Sequence, residues 1–253
     1  MAQIGIRFYR TLNDFIAPTL ADTEIIHNFD RKASIKDMIE SFNVPHTEVE
    51  RIVVNGIAVG FNYIVRNGDC IEVFPACENL STIPACQLRP ALLPPLLFVA
   101  DSNLGRLARY LRLLGFDCLY RNDYDDDAVA IIASEQQRVV LTRDRSLLRR
   151  KIVTYGYFVR ADQPKIQTSE VLKRFALYSL IKPLTRCTHC NGVLAETGKS
   201  QIECRLEPLT RRYYDKFLMC PDCSRIYWQG SHSIRIKQLL AELVDENNSQ
   251  AIL

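Results

Sequence analysis

Two Cys-x-x-Cys pairs constrain the fold of this chain more than any other feature of its sequence. The pairs are Cys187 with Cys190 and Cys220 with Cys223. Each pair can present two thiolates to one ion, and four thiolates complete a closed tetrahedral zinc site. The spacing therefore predicts a zinc ribbon over residues 182–240, in which the metal is structural because a block this small builds little core of its own.

The number of cysteines and the lengths of the apolar runs predict the cellular compartment of the protein. The opening segment MAQIGIRFYR has no recognisable secretory signal, so nine cysteines indicate a reducing compartment, and we expect a cytoplasmic protein. The longest apolar run, residues 91–100, contains two prolines and is far shorter than the ~20 residues of a membrane span, which predicts no membrane partner. We interpret the cysteines outside the pairs as apolar fillers or surface thiols: Cys70, Cys77, Cys86, Cys118 and Cys204.

Residues 1–80 predict a β-grasp domain, which is a small sheet wrapped around one helix. Alternating apolar residues open the chain as a strand, and Ser34 three residues before Asp37 is typical of a capped helix start. Asn55-Gly56 lies between two apolar triplets and indicates a hairpin, since both residues accept a positive φ.

The phrases VNG, NGD and IEVFP in this block resemble the ubiquitin-like sulfur-carrier family. Members of that family end in Gly-Gly, where the carboxylate is activated, whereas this block continues through Pro75 into further chain. The resemblance therefore implies the fold without sulfur-carrier chemistry, and we expect a domain that packs or that binds a protein partner. A proline-containing linker is predicted at residues 81–95.

Residues 96–181 alternate strands with helices, which is typical of a parallel α/β sheet. An apolar run before Asp101 suits a buried strand, and leucines at helical spacing follow it until Gly115. The prediction comprises strands at 96–100, 116–120, 138–142 and 155–160 and helices at 104–114, 125–136, 146–151 and 169–180. We expect residues 241–253 to form a tail after the ribbon.

Acidic residues gather at the predicted carboxyl ends of these strands. Asp101 and Asp144 each follow a strand, and Asp126 and Asp127 begin a helix at the same edge. Carboxylates that converge there repel one another unless a cation lies between them, and Mg²⁺ and Mn²⁺ prefer such oxygen ligands. The alternative interpretation is that each Asp only caps a helix, because acids also favour the first helical turn.

Arginines flank these acids and predict a substrate with phosphate groups. Three of them recur at every third position on the helix after Asp101, and two more flank Asp144. Arginine side chains of this kind hold nucleic-acid phosphates, although a solvated helix face is the alternative for each of them. The candidate substrate-binding residues are Arg106, Arg109, Arg112, Arg143 and Arg145.

Aromatic and basic residues follow the second cysteine pair. These are Tyr227, Trp228, His232, Arg235 and Lys237. Such residues can stack on bases and hold phosphates, and the equally weighted alternative is that the aromatic rings pack the ribbon.

The runs VADSNLGRLARYLRLLGFD, DDD, VVLTRDRSLLRR and YFVRADQP are similar to the Mut-seven C-terminal ribonuclease domain family, a branch of the PIN-like nucleases. A ubiquitin-like domain is a known companion of that family. The resemblance implies hydrolysis of RNA with Mg²⁺ or Mn²⁺ held by Asp101, by Asp127 with Asp126 as its alternative, and by Asp144. It leaves Asp162 as a candidate fourth ligand.

The sequence thus predicts an α/β protein with an N-terminal β-grasp domain, a central PIN-like parallel α/β domain and a C-terminal zinc ribbon. We expect a metal-dependent ribonuclease with RNA as its partner. A second hypothesis is a non-catalytic RNA-binding or ribosome-associated module that keeps the structural zinc. A third is an adaptor that binds a protein partner through residues 1–80.

Overall fold

The computed structural model describes residues 1–75, 88–92 and 94–228, which fall into two compact units. Unit 1 contains the described parts of Met1–Pro94 together with Ala130–Phe158, and unit 2 contains the described parts of Pro95–Val129 and Val159–Leu253. Most of the predicted linker and the whole predicted tail lie outside the described residues. Within the described part of the chain, no helix combines the length and the apolar character that a membrane crossing requires.

The regular elements alternate along the chain much as the sequence predicts. The strands are β1 Ala2–Phe8, β2 Ile25–Phe29, β3 Val49–Val54, β4 Ile57–Ala58, β5 Cys70–Pro75, β6 Leu97–Ala100, β7 Asp117–Leu119, β8 Val139–Thr142, β9 Gly156–Phe158, β10 Ala195–Thr197, β11 Phe217–Met219 and β12 Ile226–Trp228. The helices are α1 Ile35–Ser41, α2 Gly105–Leu113, α3 Asp126–Glu135, α4 Arg145–Leu148, α5 Pro164–Arg174, α6 Lys199–Ile202 and α7 Pro208–Tyr213.

The N-terminal sheet of unit 1 is a β-grasp sheet with the strand order β2-β1-β5-β3-β4. β1 and β5 run parallel in its centre, with Ile6 opposite Ile71, and the other neighbours are antiparallel. Inward-facing residues of the strands and the buried face of α1, including Ile35 and Ile39, form one apolar core. This confirms the ubiquitin-like part of the predicted fold.

Two local signals explain why this segment folds as predicted. The Ser34 hydroxyl accepts a hydrogen bond from the Asp37 amide at 3.1 Å, which caps α1. Asn55 and Gly56 have φ values of 51° and 82°, which is the geometry of a two-residue turn between β3 and β4.

Unit 1 also contains a parallel pair of strands, β8 and β9, and α4 lies between these two strands in the sequence. The β-grasp part is bonded to this pair, because a Glu48 carboxylate oxygen accepts from the Phe158 amide at 2.6 Å. Both ring nitrogens of His46 are engaged as well, one with Glu40 at 2.7 Å and the other with the Val153 carbonyl at 2.9 Å.

Unit 2 begins with β6, a 3₁₀ turn at Ser102–Leu104, α2 and β7. β6 and β7 pair in parallel, and the apolar stripe of α2, including Leu107 and Leu111, is fully buried. α3 begins in this unit and continues into unit 1. Strands and helices therefore alternate as the α/β prediction requires.

The helix after β9 lies earlier in the chain than predicted. The sequence predicts it at residues 169–180, whereas α5 spans Pro164–Arg174. Proline favours the first helical position because its φ is already helical, and Ala176, with a φ of 51°, prevents continuation beyond the last turn. Residues Tyr178–Leu180 form a separate 3₁₀ turn.

The C-terminal part of unit 2 is a three-stranded antiparallel sheet in the order β10-β11-β12. The short helices α6 and α7 connect β10 with β11, and the sequence did not predict them. The sheet supports the four paired cysteines, so the three-part α/β fold is confirmed together with a cysteine cluster compatible with a zinc ribbon.

Candidate metal centre and strand-end acids

The four paired cysteines converge on one point. Their Sγ atoms all lie within 4.8 Å of one another, with 3.5 Å between Cys187 and Cys223 and 3.4 Å between Cys190 and Cys220. A tetrahedral zinc ion with Zn–S bonds of about 2.3 Å requires sulfur atoms about 3.8 Å apart. The donor set and its spacing therefore fit a structural zinc ion, and Cys204 lies outside the cluster.

Two tight turns hold these cysteines in place. The Asn191 amide donates to the Cys187 carbonyl at 3.0 Å, and the Ser224 amide donates to the Cys220 carbonyl at 2.8 Å. Asn191 and Ser224 adopt positive φ values of 73° and 56°. At Gly192 a Cβ atom would lie 2.1 Å from an Asp222 carboxylate oxygen and 3.0 Å from the Cys220 sulfur, so a side chain here would require both neighbours to shift.

Hydrogen bonds favour the thiolate form of Cys187. Burial raises the pKa of Cys187, but the amides of Cys190 and His189 and the hydroxyl of Tyr227 stabilise the thiolate more, and the pKa falls to about 6. The Tyr227 hydroxyl lies 3.1 Å from Cys187 Sγ and accepts from the Thr188 amide at 3.1 Å. Burial and the neighbouring thiol raise the pKa of Tyr227 to about 12, so the hydroxyl keeps its proton.

Tyr227 and Trp228 thus take part in the ribbon itself. The Trp228 ring contacts Tyr214 and Phe217, with ring centroids 6.4 Å apart in both pairs. These contacts support the packing interpretation of the two aromatic residues. The basic residues predicted to act with them, His232, Arg235 and Lys237, lie outside the described residues.

Arg112 departs from the predicted arginine stripe. Its side chain is 3% exposed, and its guanidinium donates to the Cys118 carbonyl at 2.8 Å and to the His189 carbonyl at 2.7 Å. Arg106 and Arg109 on the same helix are exposed. Arg112 therefore does not lie on the exposed surface of Arg106 and Arg109, because α2 turns it toward β7 and the first cysteine turn.

Asn191 makes a second connection between that turn and β7. Its side-chain oxygen accepts from the Cys118 amide at 3.0 Å, and its side-chain nitrogen donates to Asp117 at 2.8 Å. Arg186 forms an ion pair with the same Asp117 carboxylate at 3.0 Å. Sequence reasoning missed these contacts: the Asn-Gly dipeptide signals a turn but not what the Asn side chain reaches.

Asp101 lies directly after β6 and is 5% exposed. It begins the 3₁₀ turn, where its carbonyl accepts from the Leu104 amide at 2.9 Å, and its carboxylate accepts from the Ser102 hydroxyl at 3.2 Å. The Tyr120 hydroxyl donates to the Ser102 carbonyl at 3.2 Å. Gly105 has to be glycine for this contact, since a Cβ atom would lie 2.5 Å from the Tyr120 oxygen.

The acids at the start of α3 divide into a cap and two first-turn residues. The Asp125 carboxylate accepts from the Ala128 amide at 2.8 Å, so Asp125 satisfies a free helical amide. Asp126 and Asp127 occupy the first turn; Asp126 is half-buried and Asp127 is exposed. Asp125 therefore acts as a cap, and the first-turn positions of Asp126 and Asp127 suit both the helix-dipole alternative and metal binding.

Asp144 follows β8 and caps α4. One carboxylate oxygen accepts from the Ser146 amide at 2.7 Å, and the other accepts from the Ser146 hydroxyl at 2.8 Å. Asp144 belongs to unit 1, whereas Asp101, Asp127 and the exposed Asp162 belong to unit 2. The convergence of the acids on one cation stays a prediction.

The arginines that flank Asp144 have different surroundings. Arg143 is exposed. Arg145 is half-buried, and its guanidinium lies 5.0 Å from the Phe15 ring centroid and 5.6 Å from that of Phe158. Arg145 also donates to the Asp14 carbonyl at 3.3 Å. It is thus bound to the β-grasp part, a use that its position beside an acid did not reveal.

Comparison with known proteins identifies both halves of the chain. A family model described as Mut7-C RNAse domain matches residues 97–240, and a model described as Mut7-C ubiquitin matches residues 1–81. Among curated proteins, none matches the chain. A solved structure described as a putative molybdopterin converting factor, subunit 1, from Pyrococcus furiosus is 20% identical, covering 30% of this chain and 100% of its own with a TM-score of 0.25.

Proposed function

Since the chain belongs to the Mut7-C RNAse domain family, we propose that it is a metal-dependent ribonuclease that hydrolyses phosphodiester bonds of RNA. The observation that carries this proposal is the position of Asp101, a residue that is 5% exposed at the end of a parallel strand inside the matched segment. Sites in α/β sheets form at this end of the strands.

Asp101, Asp127 and Asp144 are the proposed ligands, with Asp126 as the alternative on α3 and Asp162 as a candidate fourth. Their carboxylate oxygens are the donors that Mg²⁺ and Mn²⁺ prefer. When bound, such an ion supplies an activated water and stabilises the leaving oxygen of the phosphodiester. The strand ends and the first turn of α3 fix the backbone positions from which these carboxylates act.

The proposed RNA contacts come from arginines that the solvent can reach. Arg106 and Arg109 are exposed on α2, the helix that follows the turn of Asp101, and Arg143 is exposed beside Asp144. Such side chains bind backbone phosphates without reading sequence. Arg112 and Arg145 are not included, because both are bound to other parts of the fold.

The cysteine cluster has a structural part in this proposal. Four thiolates leave no open coordination position, which is the property of structural zinc sites. The ribbon would extend the RNA-binding surface, and a reducing cytoplasm would keep its thiols available for the metal.

Four single substitutions in the full-length protein test the function. Asp101→Asn, Asp127→Asn and Asp144→Asn should each lower Mn²⁺-stimulated cleavage of single-stranded RNA by about 100-fold or more, because each removes a ligand charge. Asp125→Asn is the matched control: it lies beside Asp127, and asparagine caps helices as well as aspartate does. Cleavage is followed on labelled RNA, and binding by fluorescence anisotropy without divalent ions.

The outcomes separate the two functions. Loss of cleavage in the three variants with retained binding supports the ribonuclease. Cleavage that persists in both Asp127→Asn and Asp144→Asn overturns the proposed ligand set. Binding by the wild-type protein without any cleavage identifies the non-catalytic RNA-binding module instead.

A further inference from the structure

The strand β7 is held on two sides. On one side it pairs with β6, and Phe98 is opposite Cys118. On its other side, side chains take the place of a neighbouring strand. The Cys118 amide donates to the Asn191 side chain at 3.0 Å, and the carbonyls of Cys118 and Tyr120 accept from Arg112 at 2.8 Å and 3.4 Å. This satisfies backbone groups that an edge strand otherwise leaves open.

The same two side chains depend on the first cysteine turn. Asn191 is part of that turn, since its amide donates to the Cys187 carbonyl at 3.0 Å. Arg112 donates to the carbonyl of His189, the residue directly before Cys190, at 2.7 Å. In structural zinc sites the bound metal stabilises the folded state of the ligand-bearing turns, so this turn should loosen when zinc is removed. The edge of β7 is therefore connected to the metal ligands through two short contacts.

The residue directly after β7 contacts the 3₁₀ turn that follows Asp101. Tyr120 follows the last residue of β7, and its hydroxyl donates to the Ser102 carbonyl at 3.2 Å. The ring lies where a side chain on Gly105 would be, so the two segments are in direct contact. Ser102 itself donates to the Asp101 carboxylate at 3.2 Å.

We propose that Arg112, Asn191 and Tyr120 are positioning residues that couple zinc binding at the cysteine cluster to the geometry of the Asp101 turn. Zinc holds the first cysteine turn, Arg112 and Asn191 transmit its position to β7, and Tyr120 transmits the position of β7 to Ser102. The effect on cleavage rests on the proposed role of Asp101 as a metal ligand. The coupling itself is a property of the fold and is measured without any substrate.

Two amides report on the two ends of this connection. The Cys118 amide is bonded to Asn191, and the Leu104 amide is bonded to the Asp101 carbonyl. Hydrogen exchange of the full-length protein is measured with zinc bound and after zinc has been removed with a chelator. Both amides should exchange about tenfold faster or more without zinc, and the amides of β1, which belongs to unit 1, serve as the internal reference.

Tyr120→Phe separates coupling from general loosening. The ring stays beside Gly105, but the hydrogen bond to Ser102 is lost. With zinc bound, exchange at Leu104 should rise roughly three- to tenfold, and exchange at Cys118 and the zinc content should not change. Zinc removal should then accelerate Leu104 much less than in the wild type. Tyr110→Phe, a half-buried tyrosine on α2, is the matched control and should behave as the wild type.

Two results would overturn the coupling. One is unchanged exchange at Leu104 after zinc removal from the wild-type protein. The other is an equal acceleration of Leu104 in the wild type and in Tyr120→Phe. Absence of ribonuclease activity would contradict the proposed function but leave both exchange measurements intact, so the two failures are distinguishable.

Discussion

The cysteine cluster and the strand-end acids are both candidate metal ligands, but they differ in what else they do in the fold. The four sulfur atoms lie within 4.8 Å of one another, and all four cysteines come from unit 2. The acids are spread over both units, and Asp144 already accepts two hydrogen bonds from Ser146 as a helix cap.

This difference shows when geometry alone identifies a metal site. A thiol is a weak hydrogen-bond partner, so four converging cysteines that stay reduced have few structural uses other than binding an ion. A carboxylate can cap a helix, pair with arginine or bind a cation, and the same strand-end position suits all three. The positions of the cysteines therefore already fit a metal site, whereas the acids require substitutions that remove one use and preserve another.

The largest expected effect concerns zinc binding by the four paired cysteines. Structural zinc contributes an apparent binding free energy of about 10–16 kcal/mol, so Cys220→Ser should lose the zinc and with it the order of the ribbon. Zinc is measured by elemental analysis and folding by circular dichroism. Cys204→Ser is the control, because Cys204 is exposed and lies outside the cluster. Full zinc content in Cys220→Ser would contradict the four-ligand site.

A smaller effect concerns the junction between the end of α2 and Lys182, just before the cysteine ribbon. Gly115 ends α2 with a φ of 97°, and a Cβ atom there would lie 2.2 Å from the Lys182 carbonyl oxygen. Gly115→Ala should therefore lower the free energy of unfolding by about 2–4 kcal/mol.

Gly198→Ala provides the matched comparison for this junction. Gly198 has an ordinary φ of −68°, and the nearest atoms to an added Cβ are 3.8 Å away, so its stability should change by less than ~0.5 kcal/mol. Thermal unfolding of both variants measures the difference. Equal unfolding temperatures would show that α2 and the ribbon do not depend on this close approach.

The smallest effect separates the two uses of Asp144. Asp144→Ala should cost about 1 kcal/mol of stability, because Ser146 loses its acceptor, whereas Asp144→Asn should retain the cap. Both variants should lose Mn²⁺ affinity to the same extent if the carboxylate is a ligand. Chemical denaturation and Mn²⁺ titration measure the two properties. Wild-type Mn²⁺ affinity in Asp144→Asn would leave capping as the function of this acid.

Sequence reasoning succeeded for features whose cause lies within a few residues. The Asn55-Gly56 turn, the cap at Ser34 and the cysteine pairs each depend on neighbours in the chain, and all three occur as predicted. The bounds of the last helix of the α/β segment were less accurate. It was predicted at 169–180, whereas α5 begins at Pro164, whose fixed φ favours a helix start.

Arg112 illustrates what the chain sequence does not decide. Helical periodicity places Arg106, Arg109 and Arg112 near one another on α2, yet Arg112 alone is buried against the Cys118 and His189 carbonyls. The partners of Arg112 are brought to it by the pairing of β7 and by the cysteine turn. The role of a side chain therefore depends on which distant segments of the chain pack against it.

Taken by itself, the sequence determined the order of the three parts, the metal-binding spacing of the cysteines and the acids that follow the strands. The tertiary structure decided which of the polar residues are available. It bound Arg112, Asn191 and Arg145 to segments that lie far away in the sequence. The physical reason is that spacing and turn chemistry act locally, while burial and hydrogen bonding are settled only when distant segments pack together.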